Sequence, residues 1–364
     1  VNLKRYGVAV AILATAAISL TACASNEAAP AATATKTASN LTGTLNGIGS
    51  SAQGAAETTW IAGFQTGNPN VTVNYDPQGS GAGRTSFIAG SADFAGSDAA
   101  LKTTELASTF VACAAGSSAI DLPVYISPIA IAYNVAGVTN LKLDAPTIAG
   151  IFKGTIKTWN DPAIAGQNAG VTLPSAPITV VHRSDDSGTT QNFTEYLSAN
   201  AKSVWDAPAS QTYPYPVGDA AKGTSGVAAA TKAAANSIAY IDESGAAGLS
   251  IAQLKVGSSY VKISAAGAAA VVAASPITTG RAANDLAIAL NRMDTSKNAW
   301  PLVLVSYLIT CQTYKDAAKG ALVKAYADYV VSPEAQKAAA SQAGSAPLST
   351  ALASKVSAAI ATIK

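Results

Sequence analysis

LTGTLNGIGSSAQGAAETTWIAGFQTGNPNVTVNYDPQGSGAGRTSFIAGSADFAGSD, residues 41–98, is the stretch on which the fold turns. LTGTLN (41–46) alternates like a strand, and AQGAAETTWIAGFQ (52–65) spaces its apolar residues like a helix. VTVNYD (71–76) reads as a second strand. It is followed by the glycine-rich turn PQGSGAG, a helical RTSFIAG and a third strand, ADFAGSD (92–98). Strands alternating with helices at this spacing predict an α/β domain with a largely parallel sheet.

Further along, PVYISPIAIAYNV (123–135) is a long apolar run of β-type residues, suited to a crossing between two lobes. A second α/β region follows, with TIAGIFKG helical, PITVVHR a strand, SGTTQNFTEYL a helix and SIAYID (237–242) a strand. The stretch 250–275 is weakly patterned and reads as a hairpin plus loop. AWPLVLVSYLITC (299–311) is a second crossing, and SPEAQKAAASQAG beyond it is a capped helix. The expected organisation is lobe I from 41–125 and 301–364, with lobe II from 126–300. A chain of 364 residues suits two such units better than one core.

The first forty residues stand apart. Lys4 and Arg5 precede the apolar run YGVAVAILATAAISL, and LTAC ends at Cys23. A basic start, a short apolar stretch and small residues before a cleavage point describe an export signal over residues 1–23. L-T-A-C also resembles the bacterial lipobox, which makes Cys23 the lipidated first residue of the mature protein; an ordinary cleaved signal is the alternative. Residues 24–40 read as a disordered tether reaching on the order of 55 Å when extended. The chain is therefore expected outside the cytoplasm, anchored to the cell membrane. Cys113 and Cys311 remain, an even number in an oxidising compartment, and a disulfide is expected; two buried free thiols are the alternative. Charged residues make up 12% and net charge is +2, with no basic stripe, so nucleic acid is not an expected partner.

Three stretches end a strand in small or hydroxyl residues and then open a helix: NGIGSSAQ (46–53), PQGSGAGRTS (77–86) and RSDDSGTTQNF (183–193). Helix N-termini present unpaired N–H groups, glycines admit close approach, and hydroxyls add donors, so such junctions suit an oxyanion. Each alone could be only a capped turn. The main competitor is an exported dinucleotide-binding oxidoreductase. Gly47-Ile48-Gly49-Ser50-Ser51-Ala52 fits GxGxxA after a strand, with Asp76 at the ribose-binding position. Against it, little dinucleotide exists outside the membrane. The single histidine, His182, sits beside Arg183 and is expected to be structural; neither metal cluster nor triad is visible. An enzyme, a metal and a cofactor are not expected.

Taken together, LNGIGSSAQ, VNYDPQGSGAG, ADFAGSDAAL, IFKGTIKTWNDPAI, HRSDDSGTTQNFTEYL, AYIDESGAA and AWPLVLVSYLI resemble the phosphate-binding lipoproteins of the bacterial high-affinity phosphate ABC transporter. They stand in family order and span about 41 to 345. The resemblance implies a two-lobe periplasmic-binding-protein fold of the class II type, monomeric, with inorganic phosphate in the interlobe cleft and delivery to a membrane permease. It also implies phosphate contacts from Ser51 and the Ala52 N–H, from Ser80 and Asp98, and from Arg183, Ser187, Gly188 and Thr189. Asp185 is implied to orient Arg183. Many family members carry Thr-Phe where this chain has Ser51-Ala52, and a small residue where it has Asp186, an added negative charge.

Overall fold

The computed structural model describes residues 40–364; Cys23, the export signal and nearly all of the tether lie outside them. Strand β1 (Gly43–Gly49) leads through helix α1 (Gly54–Gly67) to β2 (Val71–Asp76), α2 (Ser80–Ile88) and β3 (Phe94–Ser97). Helix α2 begins inside the expected turn. Gly79 before it takes φ 107°, a left-handed conformation that glycine adopts freely, and this lets the helix start at Ser80.

A short α3 (Thr103–Leu106) precedes β4 (Ala119–Asn134), the first crossing, of whose 16 residues only the last is not fully buried. The second region runs β5 (Lys142–Leu143), α4 (Ala145–Lys153), α5 (Pro162–Ala165), β6 (Thr179–Arg183), α6 (Gly188–Asn200), β7 (Asp219–Ala221), α7 (Gly223–Ala233) and β8 (Ser237–Asp242). Then come a 3-10 turn (Glu243–Gly245), β9 (Ser250–Ile251), β10 (Gln253–Val256), β11 (Ser259–Val261) and α8 (Ala265–Ala273). The chain returns on β12 (Val303–Cys311) and ends in α9 (Ala317–Val330), α10 (Pro333–Ala343) and α11 (Thr350–Ala361).

The main sheet has the order β2-β1-β3-β12-β4-β8-β6-β7, with β9 also on β4; β11-β10-β5 form a small second sheet. It is not largely parallel. The outer triplets are parallel within themselves, but β12 is antiparallel to β3 and β4, and β4 is antiparallel to β8. The reason is the path of the chain: β4 carries it from the first triplet to the second and β12 carries it back, so the neighbours run oppositely. Strand β4 changes partner midway, pairing with β12 up to Pro128 and with β8 from Ile129. Helix α8 is a second departure from the expected loop. Its body is nearly all Ala and Val, without polar alternation, and only the Ser264 cap marks its start by accepting from Gly267 N–H at 3.0 Å.

Aromatic pairs pin the main sheet to its helices. Trp60 of α1 meets Tyr125 of β4 edge-on at 6.5 Å, and Phe193 of α6 stacks on Tyr240 of β8 at 4.2 Å. Cys113 and Cys311 form a disulfide, with Cα atoms 5.3 Å apart and 198 positions of chain between them. It ties the end of β12 to the loop after α3, so the returning carboxyl-terminal segment is fastened to the first triplet. Closing so long a loop restricts the unfolded chain, and removing it with Cys113→Ala/Cys311→Ala is expected to cost about 3–5 kcal/mol. Urea unfolding of both proteins measures this; equal midpoints, or two free thiols in the unreduced unfolded chain, would refute it.

Candidate functional site

In each parallel triplet the chain passes from the middle strand to one neighbour and then crosses back over it to the other. In the order β2-β1-β3 the reversal lies between β1 and β3, and in β8-β6-β7 it lies between β8 and β6. Crevices outside the carboxyl ends of strands at such reversals are where open α/β sheets take ligands. Here the two crevices face each other. Ser50 and Asp98 directly follow β1 and β3, and β6 ends at Arg183.

Asp98, only 4% exposed, is the centre of the cluster. Its Oδ1 accepts from the hydroxyls of Ser50 and, at 2.7 Å, Ser306; its Oδ2 lies 3.3 Å from Thr189 Oγ1. Its backbone N–H donates to Ser80 Oγ at 3.1 Å, and its carbonyl accepts from Asn192 Nδ2 at 2.8 Å. Gly188, the first residue of α6, presses against this group. A Cβ there would fall 2.6 Å from both Asp98 Cβ and Ser80 Oγ, so the helix end can approach this far only as glycine. Ser187 caps the same helix by accepting from Thr190 N–H at 3.2 Å.

Opposite stands Arg183, also 4% exposed. Nε donates to Asp185 Oδ1 at 2.7 Å and Nη2 donates to Asp185 Oδ2, a two-pronged grip that leaves Nη1 directed towards Thr189 Oγ1 at 3.5 Å. Gly223 N–H, at the start of α7, donates to Asp185 at 3.0 Å. Burial works to raise the Asp185 carboxyl, but Arg183 and Gly223 outweigh it and hold it below the ordinary aspartate value. Asp98 shifts the other way. Burial raises it, against the hydroxyls of Ser50 and Ser306, the charge of Arg183 and the hydroxyl of Thr189. A cation oriented by one carboxylate therefore faces a second carboxylate crowded with donors. Such a set can hold an anion that also carries a proton.

Contacts between the two sides close over the cluster. Gly81 N–H donates to the Asp186 carbonyl at 3.0 Å, Lys222 to Gln78, and Arg84 Nη2 to Gln211 Oε1 at 2.9 Å. Asp186, without a counterpart in the family pattern, thus lies at the rim, its carboxylate accepting from Thr212 Oγ1 at 2.7 Å. Ser80, Asp98, Arg183, Gly188 and Thr189 are brought together, with Asp185 behind Arg183. Ser51 and Ala52 are placed differently. The Ser51 hydroxyl accepts from Thr224 N–H at 3.0 Å, and the Ala52 N–H donates to Ser50 Oγ at 3.1 Å. The first junction's hydroxyl on Asp98 is Ser50, and Ser306 and Asn192 also reach Asp98; none of the three is among the contacts that the resemblance implies. The readable signal for Ser306 was a small hydroxyl in the otherwise apolar middle of VLVSYLITC.

The glycine turn does not favour a dinucleotide. Helix α2 lies across it, with Gly79 N–H donating to Gly49 O at 2.8 Å, and a Cβ on Gly83 would come within 2.6 Å of the Ile48 carbonyl. Asp76 is engaged by its neighbour Gln78 at 2.7 Å. His182 stacks on Tyr213 at 3.9 Å, with its Nδ1 3.0 Å from Arg183 O, as a structural ring would. Among the described residues no group of three or more metal-ligating side chains converges, and no helix is long and apolar enough to cross a membrane.

Residues 29–334 match the PBP superfamily domain. Phosphate-binding protein PstS 3 of Mycobacterium leprae is 39% identical over 339 residues, 89% of this chain and 90% of that protein. Phosphate-binding protein PstS 2 of Mycobacterium tuberculosis is 37% identical over 366 residues, 98% of each chain. A solved high-affinity periplasmic phosphate-binding protein, PfluDING, bound with phosphate, shares the fold with a TM-score of 0.69 at 23% identity, covering 87% of this chain and 93% of its own.

Proposed function

This chain belongs to the PBP superfamily and, within it, to the PstS phosphate-binding proteins, and from that premise we propose that it captures inorganic phosphate outside the membrane and delivers it to the permease of an ABC transporter. The anion sits between lobe I (41–125 and 301–364) and lobe II (126–300). It takes hydrogen bonds from Arg183, Ser80, Ser187, Thr189 and the Gly188 N–H, with Ser51 and the Ala52 N–H on the remaining side. Asp98 accepts the proton that phosphate carries near neutral pH. The observation that carries this reading is the pairing at the facing crevices of Arg183, gripped by Asp185, with the buried, donor-crowded Asp98. Every group in the set binds or orients an anion, which suits a carrier rather than an enzyme, and the carrier is proposed to work as a monomer.

Calorimetric titration of the purified mature protein with phosphate, sulfate and NAD tests this. Tight phosphate binding with weak sulfate binding and no response to NAD is expected; a response to NAD alone would return the oxidoreductase reading. The anchor is proposed to be a lipid on Cys23. Cys23→Ala is expected to release the protein from the membrane fraction or leave it unprocessed, and a variant still lipid-modified and membrane-held would refute the anchor.

A further inference from the structure

We infer that Ser306, together with Ser50, sets the proton balance of the site: by saturating Oδ1 of Asp98 these hydroxyls keep it a carboxylate with one free edge, so the oxyanion taken is one that brings its own proton. The inference rests on the phosphate reading above and names the residues that decide its selectivity.

Ser306 is 208 positions from Asp98, on a strand whose nine residues are all buried. A hydroxyl in such a strand costs free energy unless it is bonded, and Asp98 Oδ1 is its partner. The β12–β4 register shifts between Ser306 and Tyr307, which face Tyr125 and Pro123 respectively. The residue left over by this irregularity is Val124 of β4, opposite the step from Ser306 to Tyr307. Ser50 brings a hydroxyl to the same oxygen from the end of β1 while accepting from the Ala52 and Gln53 N–H groups at 3.1 and 3.2 Å. Among the described residues Oδ2 has only the long contact to Thr189, at 3.3 Å, and is the edge left for a ligand.

The charged and titratable groups around Asp98 come from four strands. Arg183 of β6 favours its ionised form. The buried Asp242 at the end of β8, pushed up to about 7 chiefly by burial, and Tyr75 of β2 and Tyr125 of β4 all feel the Asp98 charge, and none supplies a positive one. With one cation against burial, the hydroxyl donors hold the balance.

The consequence is a proton count. A carboxylate facing a monoprotonated phosphate shares one proton, donated from P–OH to Oδ2. Sulfate has none to give, and binds with the same count only after Asp98 has taken one from solvent. Removing a donor from Oδ1 favours that protonation and therefore sulfate. Ser306 is the cleaner test, because Ser50 also caps the start of the turn before α1.

In paired calorimetric titrations across pH 5–8.5, Ser306→Ala is expected to raise the sulfate-to-phosphate affinity ratio at pH 7 by roughly ten- to hundredfold. The rise of sulfate affinity on acidification should also begin at higher pH than in the unaltered protein. Ser306→Thr, which keeps the hydroxyl, should restore both, and Ser50→Ala should move both in the direction of Ser306→Ala. A structural role alone would weaken both anions together and leave the pH profile in place. An unchanged ratio and profile in Ser306→Ala and Ser50→Ala, in a protein that binds phosphate, overturns the inference and leaves the function standing. No phosphate binding by the unaltered protein overturns both.

Discussion

Arg183→Met is expected to lower phosphate affinity by roughly a hundred- to several thousandfold, with the fold retained. The guanidinium has five N–H donors, and Asp185 occupies one edge through Nε and Nη2. The remaining N–H groups on Nη1 and Nη2 form the edge offered to the anion. Methionine fills similar volume but removes those charge-assisted bonds and leaves the half-buried Asp185 with the Gly223 N–H but no cation. Its uncompensated carboxylate then faces an incoming dianion. Part of the loss comes from that orphan, so Arg183→Met/Asp185→Asn should bind better than Arg183→Met alone. Arg183→Lys keeps the charge without the planar fork and should fall between. Calorimetry gives the affinities and thermal unfolding checks the fold. Phosphate affinity within tenfold of the unaltered protein in Arg183→Met would remove this residue from the site.

Asp98→Asn is expected to lower the phosphate-to-sulfate affinity ratio by roughly a hundredfold or more. The amide oxygen can take the Oδ1 position, where the hydroxyls of Ser50 and Ser306 donate. The amide NH2 then lies where Oδ2 was. It donates to a bare sulfate oxygen and opposes the P–OH of phosphate, donor against donor. One anion gains a hydrogen bond and the other loses a charge-assisted one, each worth about 1.5–3 kcal/mol. The pH dependence carries a second signature. Burial raises Asp98 above the ordinary aspartate value, so the carboxyl takes up a proton as pH falls through that raised value and sulfate affinity rises with it. Asparagine has no such proton, and its sulfate affinity should stay flat over the same range. A sulfate profile that still rises on acidification in Asp98→Asn would assign the titration to another group.

The residues legible in the sequence were those whose local pattern equals their role. VTVNYD and SIAYID are strands β2 and β8 residue for residue: the first alternates in sequence and begins by alternating in burial, and the second is a short run buried throughout. The junctions at 77–86 and 183–193 show their donors openly, since the residues that cap a helix are the ones that reach an anion. Ser50 and Ser51 were not separable. They are adjacent in an irregular turn, one turned to Asp98 and the other to Thr224, and no periodicity distinguishes them. The antiparallel centre was hidden for a different reason. Alternation of strands and helices describes the triplets, while the direction of β4 and β12 depends on the chain's return 170 or so residues later, which no local window contains. Ser306 reaches Asp98 only through that return.

Strand β4 has a consequence for how the protein comes apart. Its first ten residues pair with β12 and its last six with β8, so neither triplet can lose its central edge without exposing the other's. Independent melting of one half is therefore blocked, and the described part of the chain should behave as a single cooperative unit. Amide protons along β4 and β12 should exchange with deuterium only through complete opening of the molecule. That at Thr224, held by a single side-chain contact to Ser51 across the cleft, should exchange whenever the cleft parts. Deuterium uptake would in this way separate the breathing that admits an anion from the unfolding that destroys its site.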